Sequence, residues 1–282
     1  WSSDVCSSDL KMKNLLKYFL IIFSSLISAD IKEHQGILAT LYVQDSAEYY
    51  ANSINVYRSA MDKLPSVLSN NNISAAIEQT KDFKDKPPAV VLDVDQTVLD
   101  NIAYQARLIK TRTYYPEGWD AWCMEEQADY VPGVKEFLDY ATELGVEIFF
   151  VTNRTANLEE ATKNNLEKLG FIFKDGKDQL LMKGEKGWGS NKNSRRSLIA
   201  EDYRIVMMFG DNLGDFIDGS DNKNSSEHRM EVTKRYQDMW GQYWFMLPNP
   251  NYGDWESSII DFKYNISKEK QLQIKIDALD TK

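Results

Sequence analysis

Histidine and cysteine are scarce in this chain, two of each among 282 residues. His34 and His228 stand in no motif, which argues against a histidine nucleophile and against a histidine-rich two-metal centre. Cys123 has Asp129, not arginine, six residues on, which argues against an arginine-backed cysteine nucleophile. Excess positive charge is also missing. Lysine and arginine number 33 against 43 aspartates and glutamates, a formal net charge of −10, so binding to a nucleic-acid polymer by general phosphate neutralisation is disfavoured. Internal repeats and low-complexity tracts are absent. What remains is 43% hydrophobic and 12% aromatic, the composition of a well-cored protein with room for one sizeable domain and an accessory one.

One long apolar run stands near the start. Residues 12–29, MKNLLKYFLIIFSSLISA, have a lysine-bearing beginning, an apolar centre and a small-residue end at Ser28-Ala29, the pattern of a cleaved signal peptide. The apolar centre is short for a membrane span, so no stable anchor is expected after cleavage. Residues 1–11 fit neither a leader nor a domain and read as an artefact. Cleavage would remove three lysines and two aspartates, taking the charge from −10 to −11. It would also remove Cys6, leaving Cys123 without a partner for an intramolecular disulfide. An exported protein is expected, periplasmic or secreted.

Beyond the leader, Val43, Ala47, Tyr50, Ile54, Tyr57, Met61 and Leu64 recur in steps of four and three, predicting a helical stripe over 37–68. A polar stretch, 69–86, is expected to hold a short helix and a linker. Strands then alternate with helices. Ala89–Leu92 reads as a strand, followed by a helix from Pro132-Gly133 to Gly145. Val146–Val151 is the next strand, a helix covers about 158–169, and a short strand is expected at 171–173. A basic helix starts near Ser194, and strands follow at Ile205–Phe209 and Trp244–Leu247. This is an α/β pattern, a Rossmann-like parallel sheet with helices on both faces. Ligands in such sheets sit at the carboxyl ends of strands.

Chemistry concentrates there. The strand 89–92 ends in Asp93 and Asp95, two carboxylates one residue apart. A divalent cation is the usual reason for such a pair, with one carboxylate free to attack an electrophile beside it. Thr152-Asn153-Arg154 follows the second strand and Asp211, with Asp215 four residues on, follows the third. Alone, Thr152 reads as a helix cap and Asp215 as a first-turn residue complementing a helix dipole. The stretch KGEKGWGSNKNSRR offers three lysines, Lys183, Lys186 and Lys192.

DVDQTVLD, TNR, a lysine in a basic stretch and GDNLGD, in that order across residues 89–217, resemble the four signatures of the haloacid-dehalogenase superfamily of phosphohydrolases. That resemblance implies Asp93 as nucleophile, forming an aspartyl-phosphate, and Asp95 as general acid and base, its backbone carbonyl also ligating Mg²⁺. It implies Thr152 and Asn153 on the phosphoryl group, with Lys192 the lysine that best matches the family spacing. Asp211 would ligate the metal directly and Asp215 would orient water or lysine from behind. The fold implied is a phosphatase core over 87–265, with a smaller, mainly helical cap built from residues 30–86 and an insert at about 103–131, and a tail over 266–282.

A narrower likeness extends outside those signatures. LATLYVQDSAEYYA (38–51), LDNIAYQ (99–105), Trp119 with Trp122, VPGVKEF (131–137) and LPNPNYGDWE (247–256) are similar to bacterial class C acid phosphatases. This implies an exported phosphomonoesterase of broad range, with 5′-nucleotides among its substrates. It also implies that Trp119 and Tyr252, with Tyr104 closing the pocket, sandwich a flat leaving group; the same aromatics equally read as cap-to-core packing. Gln96 stands where many relatives have glutamate, and little catalytic consequence is expected. A non-catalytic storage protein and a phosphotransferase on the same scaffold stay open, as do the natural substrate and a homodimer.

Overall fold

A computed structural model of the chain describes residues 34–217 and 225–282. The expected signal segment, 12–29, and residues 1–11 lie outside the described residues. Five parallel strands form the main sheet: β1 (Pro88–Leu92), β4 (Glu147–Thr155), β5 (Leu180–Lys183), β6 (Arg204–Gly210) and β7 (Trp244–Met246), in the order β5-β4-β1-β6-β7. A two-stranded antiparallel ribbon, β2 (Leu99–Asp100) with β3 (Asp129–Tyr130), stands apart from it. Helices α3 (Ile102–Thr111) and α4 (Trp119–Met124) lie between the ribbon's strands in sequence.

Both faces of the sheet are covered, so its strands are near-continuous apolar runs. Val90 and Leu92 face one core with Phe150 and Phe209, against α2 (Ala47–Ser69), α5 (Val134–Glu143) and α6 (Glu159–Lys168). Ala89 and Val91 face the other with Phe149, Met208 and Trp244, against α7 (Asn193–Asp202) and α8 (Ser226–Arg235). Residues 47–69, read from sequence as cap, thus contribute a helix to the sheet's own covering layer: Tyr57 stacks on Phe209 with ring centroids 5.5 Å apart. Preceding it, α1 (Ile37–Asp45) reaches the loop after β7, where Thr40 donates to Asn251 at 2.8 Å. The chain closes with α9 (Asp254–Ile259) and α10 (Lys268–Asp277).

Three expectations are corrected. The helical stripe over 37–68 is broken at Ser46, whose hydroxyl caps α2 by accepting from Tyr49 N at 3.0 Å. The break resets the phase. Tyr49, Ser53, Tyr57, Ala60, Leu64 and Val67 are the buried set, and Tyr50 is exposed. Ser53 tolerates burial because its hydroxyl donates back to Tyr49 O at 3.0 Å. Residues 70–87 hold no helix. They lie along the sheet instead, with Ala75 N bonded to Ile205 O at 2.7 Å and Trp244 Nε1 to Ala75 O at 2.7 Å. The strand expected at 171–173 is absent, because Phe171 N closes the end of α6 on Leu166 O and Ile172 is exposed. The strand at the β4 edge is β5, hidden in sequence as the four-residue run LLMK.

Candidate active site

Strand register does most of the assembly. Leu92 of β1 lies opposite Phe209 of β6, so Asp93 and Asp211, each just past its strand, emerge side by side. The turn Leu213–Asp215 then brings a third carboxylate back to the same point, with Asp215 Oδ2 accepting from Asn212 N at 2.9 Å. Carboxylate oxygens of Asp93, Asp211 and Asp215 all lie within 4.8 Å of one another. Gly210 makes the room. A Cβ there would stand 2.3 Å from Asp215 Oδ2 and 2.4 Å from its Cβ, so no side chain fits without expelling Asp215.

Lys192 immediately precedes α7 and is buried. Its ammonium donates to Asp93 Oδ1 in a short bond and meets Asp215 Oδ1 at 2.6 Å. Lys186 pairs instead with Asp178 at 3.3 Å, and Lys183 ends β5. Both Asp215 oxygens are therefore occupied by protein donors, while Asp211 takes one bond among the described residues, from Asn249 Nδ2 at 2.6 Å. A cleft lined by Lys192, Asp215, Asn153 and Ser190 opens beside this cluster.

Burial and crowding leave a surplus of negative charge. Burial pushes the Asp93 carboxyl up to about 7 against the pull of Lys192, with Asp215 and Asp95 adding to the rise. Asp211 is driven well above the carboxylate range by burial, then by Asp215 and Asp93. Burial opposes the charge on Lys192, but Asp215 and Asp93 outweigh it and raise its pKa. One ammonium thus faces three carboxylates, an oxygen-rich arrangement that suits a hard divalent cation.

The sign of the pH dependence follows. A carboxyl raised to about 7 in the fold holds its proton more tightly than in the unfolded chain, so its contribution to stability is complete below about pH 4 and lost as pH rises through about 7. In chelator, the melting temperature is expected to fall between about pH 5 and 8, and Asp211→Asn, which removes the repulsion, to flatten that fall. Thermal unfolding across that range checks both.

Around Asp95 the arrangement is different. Its Oδ1 accepts from Asn101 Nδ2 at 2.6 Å and from Arg154 Nε at 2.9 Å, and its side chain lies outside the carboxylate cluster. Thr152 is buried in β4, the strand beside β1, and its hydroxyl accepts from Arg154 N at 3.0 Å. Asn153 is exposed at the cleft and its Oδ1 accepts from Arg195 at 2.8 Å. Trp119 is half-buried, with the Arg154 guanidinium carbon 5.5 Å from its ring centroid. The Tyr252 hydroxyl is raised well above its ordinary pKa by burial and by Asp211, Asp95 and Asp93, which puts it within reach of their field. Tyr104 is buried, donates to Glu117 O at 3.1 Å and sets its ring edge-on to Trp119.

A family model described as HAD superfamily, subfamily IIIB (acid phosphatase), matches residues 24–255. The chain belongs to this acid phosphatase family. Among solved structures it is similar to the class C acid phosphatase from Bacillus anthracis, with TM-score 0.76 and 33% identity over 88% of this chain and 98% of that one. The same protein with tungstate bound gives TM-score 0.77 at 33% identity and the same coverage. Plant relatives are more distant: the stem 28 kDa glycoprotein of Glycine max at 27% identity over 57% of this chain, and vegetative storage protein 1 of Arabidopsis thaliana at 28% over 45%. The match spans about half the length of those plant proteins, 58% and 48%.

Several residues at the site went unread in the sequence. Arg195, seen there only as part of a basic stretch, is fully buried and donates to Thr152 O, Asn153 Oδ1 and the carbonyls of residues 189–191. It ties the end of β4 to the loop carrying Lys192. Its acceptors are mostly backbone oxygens, which leave no trace in residue type. Gln96 is also not idle: buried, it accepts Asn101 N at 2.6 Å, and Asn101 in turn holds Asp95. Arg154 and Asn101 stood in motifs already noted, and their side-chain chemistry was the available signal.

Proposed function

We propose that this protein is an exported, divalent-metal-dependent phosphomonoesterase that works through an aspartyl-phosphate on Asp93. The observation that carries it is the buried Lys192 bridging Asp93 and Asp215, with Asp211 completing a carboxylate cluster at the strand ends. In this reading Asp93 attacks phosphorus in line, and the bond to the leaving oxygen breaks as Asp95 delivers its proton. Asp95 then takes a proton from the water that attacks the aspartyl-phosphate, freeing phosphate and restoring Asp93. Lys192, Thr152 and Asn153 hold the phosphoryl oxygens, and Asp215 fixes the lysine. The negative surplus fits a Mg²⁺ held by Asp93, Asp211 and the Asp95 backbone carbonyl. Such an ion, when bound, offsets charge on the phosphoryl oxygens and on the attacking carboxylate. Tungstate bound to the Bacillus anthracis relative, a tetrahedral oxyanion like phosphate, supports an oxyanion seat. Among the described residues no helix is long and apolar enough to cross a membrane; export rests on the signal pattern at 12–29.

The test is direct. Purified protein should hydrolyse p-nitrophenyl phosphate with Mg²⁺, lose about 100-fold or more in chelator and recover on adding the ion back. Metal-independent turnover would contradict the reading. 5′-Nucleotides belong to the proposed substrates because Trp119 and Tyr252 offer rings for stacking. Stacking of a base is worth roughly 1–3 kcal/mol, so Trp119→Ala should raise KM for AMP about 5- to 150-fold while changing KM for glycerol phosphate little. Steady-state kinetics on the two esters decides it. The likeness to a vegetative storage protein supports a second reading, storage without turnover, which the same assay separates.

A further inference from the structure

Arg154 is one of the largest fully buried side chains of the protein. A guanidinium out of water needs every donor met and its charge answered. Arg204 does this with backbone carbonyls, Asn70 O at 2.6 Å and Leu68 O at 3.1 Å, and Arg196 with the Glu78 carboxylate. The side chain of Arg154 turns to other side chains, and they converge on Asp95. Nε and Nη2 each meet Asp95 Oδ1 at 2.9 Å, Nη1 donates to Thr162 Oγ1 at 3.1 Å, and Nη2 reaches Asn101 Oδ1 at 3.3 Å.

Asn101 completes the bracket. It donates to the same Asp95 Oδ1 at 2.6 Å, accepts from Trp122 Nε1 at 2.9 Å, and has its own backbone N–H held by Gln96 at 2.6 Å. The bracket is therefore anchored in α4 through Trp122, in α6 through Thr162, and in the turn after β1 through Gln96. All of its contacts to Asp95 end on Oδ1; among the described residues no side chain donates to Oδ2. The carboxylate is 19% exposed, enough for one oxygen to meet a substrate. The same guanidinium lies over the Trp119 ring, a cation–π contact that joins the bracket to the aromatic wall. Lys192 serves Asp93 and Asp215, so the two working aspartates have separate cations.

We propose that Arg154 is the positioning residue for Asp95, holding Oδ1 together with Asn101 so that Oδ2 carries the proton to and from the leaving oxygen at the Trp119 wall. This rests on the reading of Asp95 as the general acid given above. Proton delivery matters most when the leaving group is a poor one, so the signature is a dependence on the leaving group.

The experiment compares kcat and KM for p-nitrophenyl phosphate, whose phenolate leaves readily, and glycerol 2-phosphate, whose alkoxide needs a proton. The proteins are wild type, Asp95→Asn, Arg154→Met, Arg154→Lys and Asn101→Ser, with inhibition by inorganic phosphate measured for each. Arg154→Met should lower kcat about 100-fold on the alkyl ester and about 10-fold or less on the aryl ester. Phosphate inhibition should stay within about twofold of wild type, since the phosphoryl seat is not touched. Arg154→Lys, keeping charge but not the fork, and Asn101→Ser should show the same split at smaller size, which keeps the test available should Arg154→Met not fold. Equal losses on both esters in the soluble Arg154 and Asn101 variants, beside a clear split in Asp95→Asn, would overturn the positioning role alone. No split in Asp95→Asn would overturn the acid reading beneath it.

Discussion

Asp93→Asn is expected to abolish turnover, by at least about 10⁴-fold, while leaving the protein folded. The amide is close to isosteric and still offers an oxygen to Lys192, so the buried bond from the lysine keeps an acceptor. What it lacks is a nucleophilic oxygen. The substitution also removes one of three crowded negative charges, whose mutual repulsion helps drive Asp93 and Asp211 upward. In chelator near neutral pH the variant should therefore melt at or above the wild-type temperature. Inactivity with undiminished stability distinguishes loss of a reacting atom from loss of structure. Turnover within about tenfold of wild type would remove Asp93 from the chemistry.

Lys192→Met has the second-largest expected effect, and it acts on both rate and stability. The lysine is the one cation contacting Asp93 and Asp215 among the described residues. Removing one partner of a buried pair leaves uncompensated charge, a cost of about 3–5 kcal/mol. Turnover should fall about 10²- to 10³-fold or more, as when an electrostatic donor is removed from a site where charge develops. The stability loss should be greatest near pH 8, where Asp93 is ionised, and should shrink near pH 5, where its protonation relieves the unpaired charge. Melting curves at the two pH values check the sign; a loss independent of pH would mean that the methionine merely packs badly.

How much of this the sequence carried depends on the residue. The strand ends were legible because an apolar run that stops at an acidic residue is an unusual pattern with a narrow physical explanation, and Asp93 and Asp211 inherit their neighbourhood from strand register alone. The choice of Lys192 over Lys183 and Lys186 needed the family spacing, since all three share one basic stretch. The helical stripe failed at Ser46, where a cap resets the phase that periodicity takes as continuous. The edge strand LLMK was missed because three apolar residues and a lysine fit several structures equally well. Arg154, Asn101 and Arg195 were hidden for another reason. The two arginines donate to atoms 43 to 59 residues away in sequence, and Asn101, six residues from Asp95, is fixed by accepting from Trp122 and Arg154; no local pattern encodes that. The contacts of Gln96 were hidden for a related reason. Little catalytic consequence is expected of it because it is no ligand, yet its buried amide supports the residue that holds Asp95.

The most direct measurement asks where the phosphoryl group goes. Enzyme mixed with p-nitrophenyl phosphate and Mg²⁺, quenched in acid within the first turnovers and treated with borohydride, has any acyl phosphate reduced to an alcohol. Peptide mass spectrometry then identifies the residue that carried it. The expected result is homoserine at position 93 and at no other carboxylate, with none in Asp93→Asn. Reduction at another residue, or no reduction while hydrolysis proceeds at full rate, would contradict the account.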